Sequence, residues 1–377
     1  MRNSTFMTDN TAFGTFGRAW TCGCVLGLGL LALAGCSSSG TGSGKDMGKS
    51  PSDTSAAKLT TVAVFPEGSF LENLAVRRDG SILVTVLNRK EVWYVPAPRA
   101  ELPVKPMLVH KFAHMAMGIV ETEPDIFYVC TSDGYTTHES TLERLDLRDW
   151  APGTAIQPQR VLEFGEPVGA LNGACLVAPR VLLVADSFAG LLWRVDLAED
   201  GMSATARVWL KHESMAIDPN NRLKPPQPGV NGVRYDSKTG FLYYTSTQRK
   251  LFMRVRIDPD TRAPVGAPEF VAGGTMADDF CIDENAGVAY VTTHRENTID
   301  RIVLRANQDP PARDTIAGNP FDDRLVGPSS AAWGRMPGDY GRVAYVITDG
   351  GTTAPPLDGI IRPAKVLRVE FSSPGGS

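Results

Sequence analysis

The stretch Leu182-Leu183-Val184-Ala185-Asp186-Ser187-Phe188-Ala189-Gly190-Leu191-Leu192-Trp193-Arg194-Val195-Asp196-Leu197 decides the fold. Two apolar runs flank a short turn that carries a glycine, and the second run alternates apolar with polar residues. That is the pattern of two antiparallel strands with one covered face. The first run recurs as Ser81-Ile82-Leu83-Val84-Thr85, Phe127-Tyr128-Val129-Cys130-Thr131, Leu242-Tyr243-Tyr244-Thr245-Ser246, Ala289-Tyr290-Val291-Thr292-Thr293 and Ala344-Tyr345-Val346-Ile347-Thr348. With Val84, Val129, Val184, Tyr244, Val291 and Val346 taken as equivalent, the steps are 45, 55, 60, 47 and 55 residues. These lie close to the ~40–50 residues of a four-stranded propeller blade with its loops. The second run recurs as Val92–Val95, Leu142–Leu147, Met253–Ile257, Ile299–Leu304 and Val366–Val369.

Six copies predict an all-β chain, a six-bladed β-propeller of four-stranded antiparallel blades. The last copy runs out one strand short, with its inner strand near Ser330–Trp333, its second near Val346 and its third from Val366 to Phe371. Thr60-Thr61-Val62-Ala63-Val64-Phe65, ahead of the first blade, supplies the missing strand. Pairing of the two ends removes a free sheet edge and closes the ring. No window longer than about ten residues holds a 3.6-residue apolar period with caps, which excludes a helical or α/β architecture.

Composition agrees. The 377 residues are 42% hydrophobic and 21% charged, with 37 glycines and 27 prolines as punctuation between short apolar runs. The 38 basic and 42 acidic residues give a formal charge of -4 with no long run of either sign, so nothing attracts a phosphate backbone and nucleic acid is excluded as a partner. Arg18 precedes an apolar stretch from Cys24 to Ala34 that is too short to span a bilayer and ends in Leu33-Ala34-Gly35-Cys36. This end resembles the lipobox of bacterial lipoproteins. The resemblance implies a signal peptide over 1–35, lipidation of Cys36 and a Ser/Gly/Lys-rich flexible tether over 36–58. The propeller then occupies 59–372 and a tail 373–377. Ser37 favours the outer membrane, so the expected location is the cell envelope, lipid-anchored and facing periplasm or exterior. The expected partners are that membrane and a small-molecule substrate, with the chain a monomer. Cys130, Cys175 and Cys281 fall inside strand-like runs without metal-binding spacing and read as buried thiols.

In a propeller the inner strand of each blade lines the central channel. Counting back twelve or thirteen residues from the second-strand marker reaches Glu72, Asn172, Asn231 and Asp278 in four blades; the remaining two present Met117 and Ser329. Two carboxylates and two amide oxygens thus converge on one axis. An all-oxygen set with two negative charges suits a hard divalent cation, calcium or magnesium with retained water, with manganese or zinc as further candidates. The same residue types also serve to hydrogen-bond neighbouring inner strands. His110, His114, His138, His212 and His294 fall off this register, which argues against an imidazole-bound zinc hydrolase.

Repeat count and ring residues together resemble the gluconolactonase and regucalcin group, including its secreted six-bladed branch, over about residues 59–371. The resemblance implies that Glu72, Asn172, Asn231 and Asp278 hold a divalent metal and that Asp278 is also the general base that opens a lactone. Asn231-Gly232 and Asp278 with Cys281-Ile282-Asp283 are the nearest local matches. Glu72-Asn73-Leu74 replaces the group's Glu-Gly-Pro, and Asp279 stands where it has glycine after the catalytic Asp. Glu67-Gly68 fails the register by five residues. Strictosidine-synthase-like propellers are a further comparison that the four-oxygen ring does not favour. Tyr135, His138, Asp186 and His294, on loops of the same face, are the candidates for substrate contact, and the long connection from Lys211 to Gly229 is a candidate lid. The expected function is metal-dependent hydrolysis of a lactone or small ester. The alternative is a non-catalytic, membrane-anchored propeller that binds a sugar, a peptide or an envelope protein.

Overall fold

The computed structural model describes residues 57–99, 101–223, 226–306 and 312–371. The expected signal segment, Cys36, the tether up to residue 56 and the 373–377 tail lie outside them. Strand β1 (Ala57–Val64) comes first and the blades follow in chain order. Blade one is β2 (Leu71–Val76), β3 (Ile82–Val86), β4 (Glu91–Val95) and β5 (Met107–Lys111). Blade two is β6 (Met115–Glu123), β7 (Ile126–Ser132), β8 (Ser140–Asp146) and β9 (Gln159–Glu163). Blade three is β10 (Leu171–Ala178), β11 (Val181–Asp186), β12 (Leu191–Leu197) and β13 (Ala204–Lys211). Blade four is β14 (Val230–Asp236), β15 (Phe241–Ser246), β16 (Leu251–Ile257) and β17 (Pro264–Gly273). Blade five is β18 (Ala277–Asp283), β19 (Val288–Thr293), β20 (Thr298–Val303) and β21 (Arg313–Gly318). Blade six takes β22 (Pro328–Trp333), β23 (Val343–Thr348) and β24 (Lys365–Phe371) from the end of the chain and β1 from its start.

The expected six-bladed ring and its closure are therefore what the chain forms. β1 runs antiparallel to β24 from Ala57↔Phe371 to Val64↔Lys365, with one register shift between Thr61 and Ala63. Helix among the described residues is limited to single 3₁₀ turns at Leu87–Arg89 and Glu213–Met215, and none is long and apolar enough to cross a membrane.

The core is divided among the gaps between neighbouring blades, because each sheet buries both faces against its neighbours. Tyr128, Cys130 and Leu142 of blade two pack on Leu182, Val184 and Trp193 of blade three, all at most 4% exposed. Each such buried aliphatic side chain contributes about 1.5–3 kcal/mol relative to an exposed one. Cys130, Cys175 and Cys281 are free and buried. Burial pushes the Cys130 and Cys175 thiols up to about 12, so neither is a nucleophile.

Candidate active site

All six inner strands lose register with their neighbours at the same place. The breaks fall between Leu71 and Asn73, Ala116 and Ile119, Leu171 and Ala174, Val230 and Val233, Ala277 and Phe280, and Pro328 and Ser330. The skipped residues include Glu72, Met117, Asn172, Asn231, Asp278 and Ser329. A bulge re-aims a side chain and leaves backbone groups without ladder partners. Hydroxyls of the second strands take over those partnerships. Thr85 Oγ1 donates to Met117 O at 2.7 Å and accepts from Asn73 N at 3.0 Å. Thr245 Oγ1 donates to Asp278 O at 2.5 Å and accepts from Gly232 N at 2.9 Å. Glycine follows the ring position in blades two, three and four because the inner strands crowd there. A Cβ on Gly173 would lie 2.7 Å from Asn231 O.

Glu72, Asn172, Asn231 and Asp278 line one cavity of about 250 Å³, together with Met117. Ser329 is spent elsewhere, its hydroxyl donating to Leu71 O at 2.6 Å. Asn231 Nδ2 donates to Asp278 Oδ1 at 2.6 Å and to Thr247 Oγ1 at 2.9 Å, and Asn172 Nδ2 donates to Ser187 Oγ at 3.2 Å. Both amide nitrogens are thus engaged by protein acceptors, which leaves the amide oxygens for the cavity. Asp279, behind Asp278, is neutralised by Arg234 at 2.5 Å and also accepts from Asn73 Nδ2 at 3.1 Å and Ser330 Oγ at 2.7 Å. Asp349 pairs with His294 across 3.3 Å. Glu72 and Asp278, both buried, have no ion-pair partner among the described residues. Burial, then the charge of Asp278, holds the Glu72 carboxyl well above the usual carboxylate range. Burial, reinforced by Asp279 against the opposing charge of His294, pushes Asp278 up to about 7. Burial would lower His294, but Asp349, Asp278 and Glu72 outweigh it and raise the imidazole to about 9.

Among the described residues no three His, Cys, Asp or Glu side chains form a metal cage. What the cavity offers is two carboxylates and two amide oxygens. Of the loop candidates, Tyr135 and His294 line the cavity, whereas His138 and Asp186 are not among its lining residues. His138 is exposed and its Nδ1 bonds Gly169 O at 2.9 Å. Asp186 is buried and saturated, accepting from Gly169 N, Ala170 N, Ala189 N and Trp193 Nε1, so it organises a turn. Pro226, Gln227 and Pro228 of the expected lid reach the cavity. Phe70, Leu87 and Met115, also on the wall, and Asp349 as the partner of His294 were not anticipated from the sequence. A signal for several existed, because three residues beyond the six second-strand markers stand Leu87, Ser132, Ser187, Thr247, His294 and Asp349. Four of these six line the cavity, Asp349 holds one of them, and Ser132 pairs with Ser140 at 2.7 Å.

No protein-family profile matches the chain. A Phoma protein described as "Putative hetero-Diels-Alderase" is 26% identical over 306 residues, 73% of this chain and 82% of that protein. Among solved structures, a luciferin-regenerating enzyme superposes with a TM-score of 0.59 at 14% identity, covering 83% of this chain and 95% of that one. A protein described as a gluconolactonase superposes with a TM-score of 0.54 at 13% identity, covering 85% and 93%. The calcium-binding protein regucalcin of Agrobacterium tumefaciens gives 0.50 at 16% identity, covering 76% and 87%. At these identities the structural likenesses establish the propeller fold.

Proposed function

We propose that the chain hydrolyses a lactone or related small ester and that Glu72, Asn172, Asn231 and Asp278 hold a divalent cation, calcium first. One observation carries the reading: two buried carboxylates that form no salt bridge among the described residues meet two amide groups in a single cavity. Ions buried without compensation are costly, and an oxygen-only set with two negative charges is what a hard divalent cation matches. Such a cation would supply polarisation of the ester carbonyl. The remaining chemistry belongs to side chains on the page. Asp278 takes a proton from the attacking water and returns it to the departing alkoxide, so ester and water give acid and alcohol. His294, held cationic by Asp349, faces the same cavity and stabilises negative charge that develops on the carbonyl oxygen. The gluconolactonase and the calcium-binding regucalcin support the reading as proteins of the same fold, and a fold alone does not assign chemistry.

Purified protein offered a panel of small lactones and aryl esters should turn over at least one, lose that activity in excess chelator and regain it with calcium. Asp278→Asn should lower kcat by roughly a hundredfold or more. A folded protein that hydrolyses none of the panel sinks the hydrolase and favours a propeller that binds without reacting. The Phoma relative, with the apolar lining of the cavity, favours a second reading, in which the pocket folds an unsaturated apolar substrate for cycloaddition. That reaction consumes no water, so turnover indifferent to chelator and without ester cleavage would select it.

A further inference from the structure

The ionisable groups and ring amides that line the cavity form one cluster. They are Glu72, Asp278, His294 and the amide oxygens of Asn172 and Asn231. The rest of the wall is mostly apolar, with Phe70, Leu87, Met115, Met117, Tyr135 and Phe188 its large side chains and Gln227 and Thr353 its further polar ones. Of the four hydroxyl side chains that line it, those of Ser187 and Thr247 are committed, Ser187 Oγ donating to Val230 O at 2.7 Å and Thr247 Oγ1 to Ala277 O at 2.8 Å. Phe70 lies stacked on the His294 ring at 5.8 Å between centroids, so the apolar wall reaches the polar cluster itself. At the rim Tyr135, 55% exposed, meets Phe188 edge to face at 5.5 Å. No Lys or Arg is among the described lining residues.

We infer that the ligand is an ester or lactone with an uncharged, apolar body, aryl or alkyl, whose carbonyl faces the ring of oxygens while its body lies on the Phe/Met wall. The word ester rests on the hydrolase reading; the apolar body rests on the wall alone. A polyhydroxylated body placed against the Phe, Leu and Met side chains gives up water hydrogen bonds and finds few in exchange. A carboxylate on the body finds no Lys or Arg on that wall and lies in a cavity that already holds the Glu72 and Asp278 carboxyls. Methionines adapt to ligands of varied outline, and the aromatic pair gives a flat contact near the mouth.

The test is direct binding by calorimetry, in chelator, of 2-naphthol, 6-hydroxy-2-naphthoate and glucono-1,5-lactone. 2-Naphthol should bind at least about tenfold more tightly than either of the others. Tyr135→Ser, at an exposed rim position where folding is not at stake, should weaken 2-naphthol binding by roughly threefold to tenfold and leave the lactone unaffected. Equal or tighter binding of the naphthoate or the sugar lactone overturns the inference. The two readings fail separately. 2-Naphthol binding without hydrolysis of any lactone or ester of the panel, 2-naphthyl acetate included, removes the hydrolase and keeps the apolar body. Hydrolysis of gluconolactone without 2-naphthol binding does the reverse.

Discussion

Asp278 and Glu72 set how the protein responds to pH. In the folded, cation-free chain burial holds both carboxyls above their ordinary values, Asp278 at about 7. The unfolded chain titrates such groups near ~3.9 and ~4.3. Between those values and 7 the native state binds more protons than the unfolded one, so stability falls as pH rises across that interval. His294 acts in the same sense higher up, because its folded value of about 9 exceeds the ordinary 6.5 and its stabilisation is lost as pH climbs through 9. The melting temperature in chelator should therefore drop from pH 5 to pH 8, and the drop should shrink in Asp278→Asn. Calcium should restore it at pH 8 and do little at pH 5. A melting temperature that rises over the same range in chelator would contradict the assignment. The four ring residues were legible because they recur at a fixed distance from strand markers. The role of Asp349 was not, because its pairing with His294 joins two different blades and leaves no mark in either stretch of sequence. Asp186 was misread for a related reason: an acidic residue at a strand end looks like a ligand contact until its four donors are seen.

The element that aims the site is the bulged inner strand with its hydroxyl patch. Thr245 serves Gly232 N and Asp278 O at once, both inside the protein. Thr245→Val should cost on the order of 2 kcal/mol by urea unfolding, since it strands two buried backbone groups. Thr131→Val is the control: that hydroxyl meets the Thr141 hydroxyl on the neighbouring strand and no bulge backbone group. Equal costs would show that the patch carries no special weight. Second and third strands could be read from the chain because nearly every residue of β7, β11 or β19 is buried. The outer strands could not. β5 and β9 each bury one residue of five, Val109 and Val161, which leaves no apolar period to detect. The bulges were equally silent, since a register break is a relation between two strands and leaves no mark of its own in either.

At the scale of the whole molecule the ring depends on one seam, the β1–β24 pair. A chain that begins at residue 65 would expose the full edge of β24 from Lys365 to Phe371 and the apolar surface that Val62 and Ala63 cover. Such a protein should melt lower and self-associate in light scattering, because an open edge beside apolar residues invites strand addition. A monomer with unchanged melting temperature would show the seam to be dispensable.

The same seam orders the events of synthesis. β1 precedes every other described strand and β24 follows them all, so the earliest strand to emerge has to wait through about 300 residues of elongation for its mate. Until then each nascent chain is a row of blades with bare margins at both ends, the form most exposed to chaperones, to proteases and to other copies of itself.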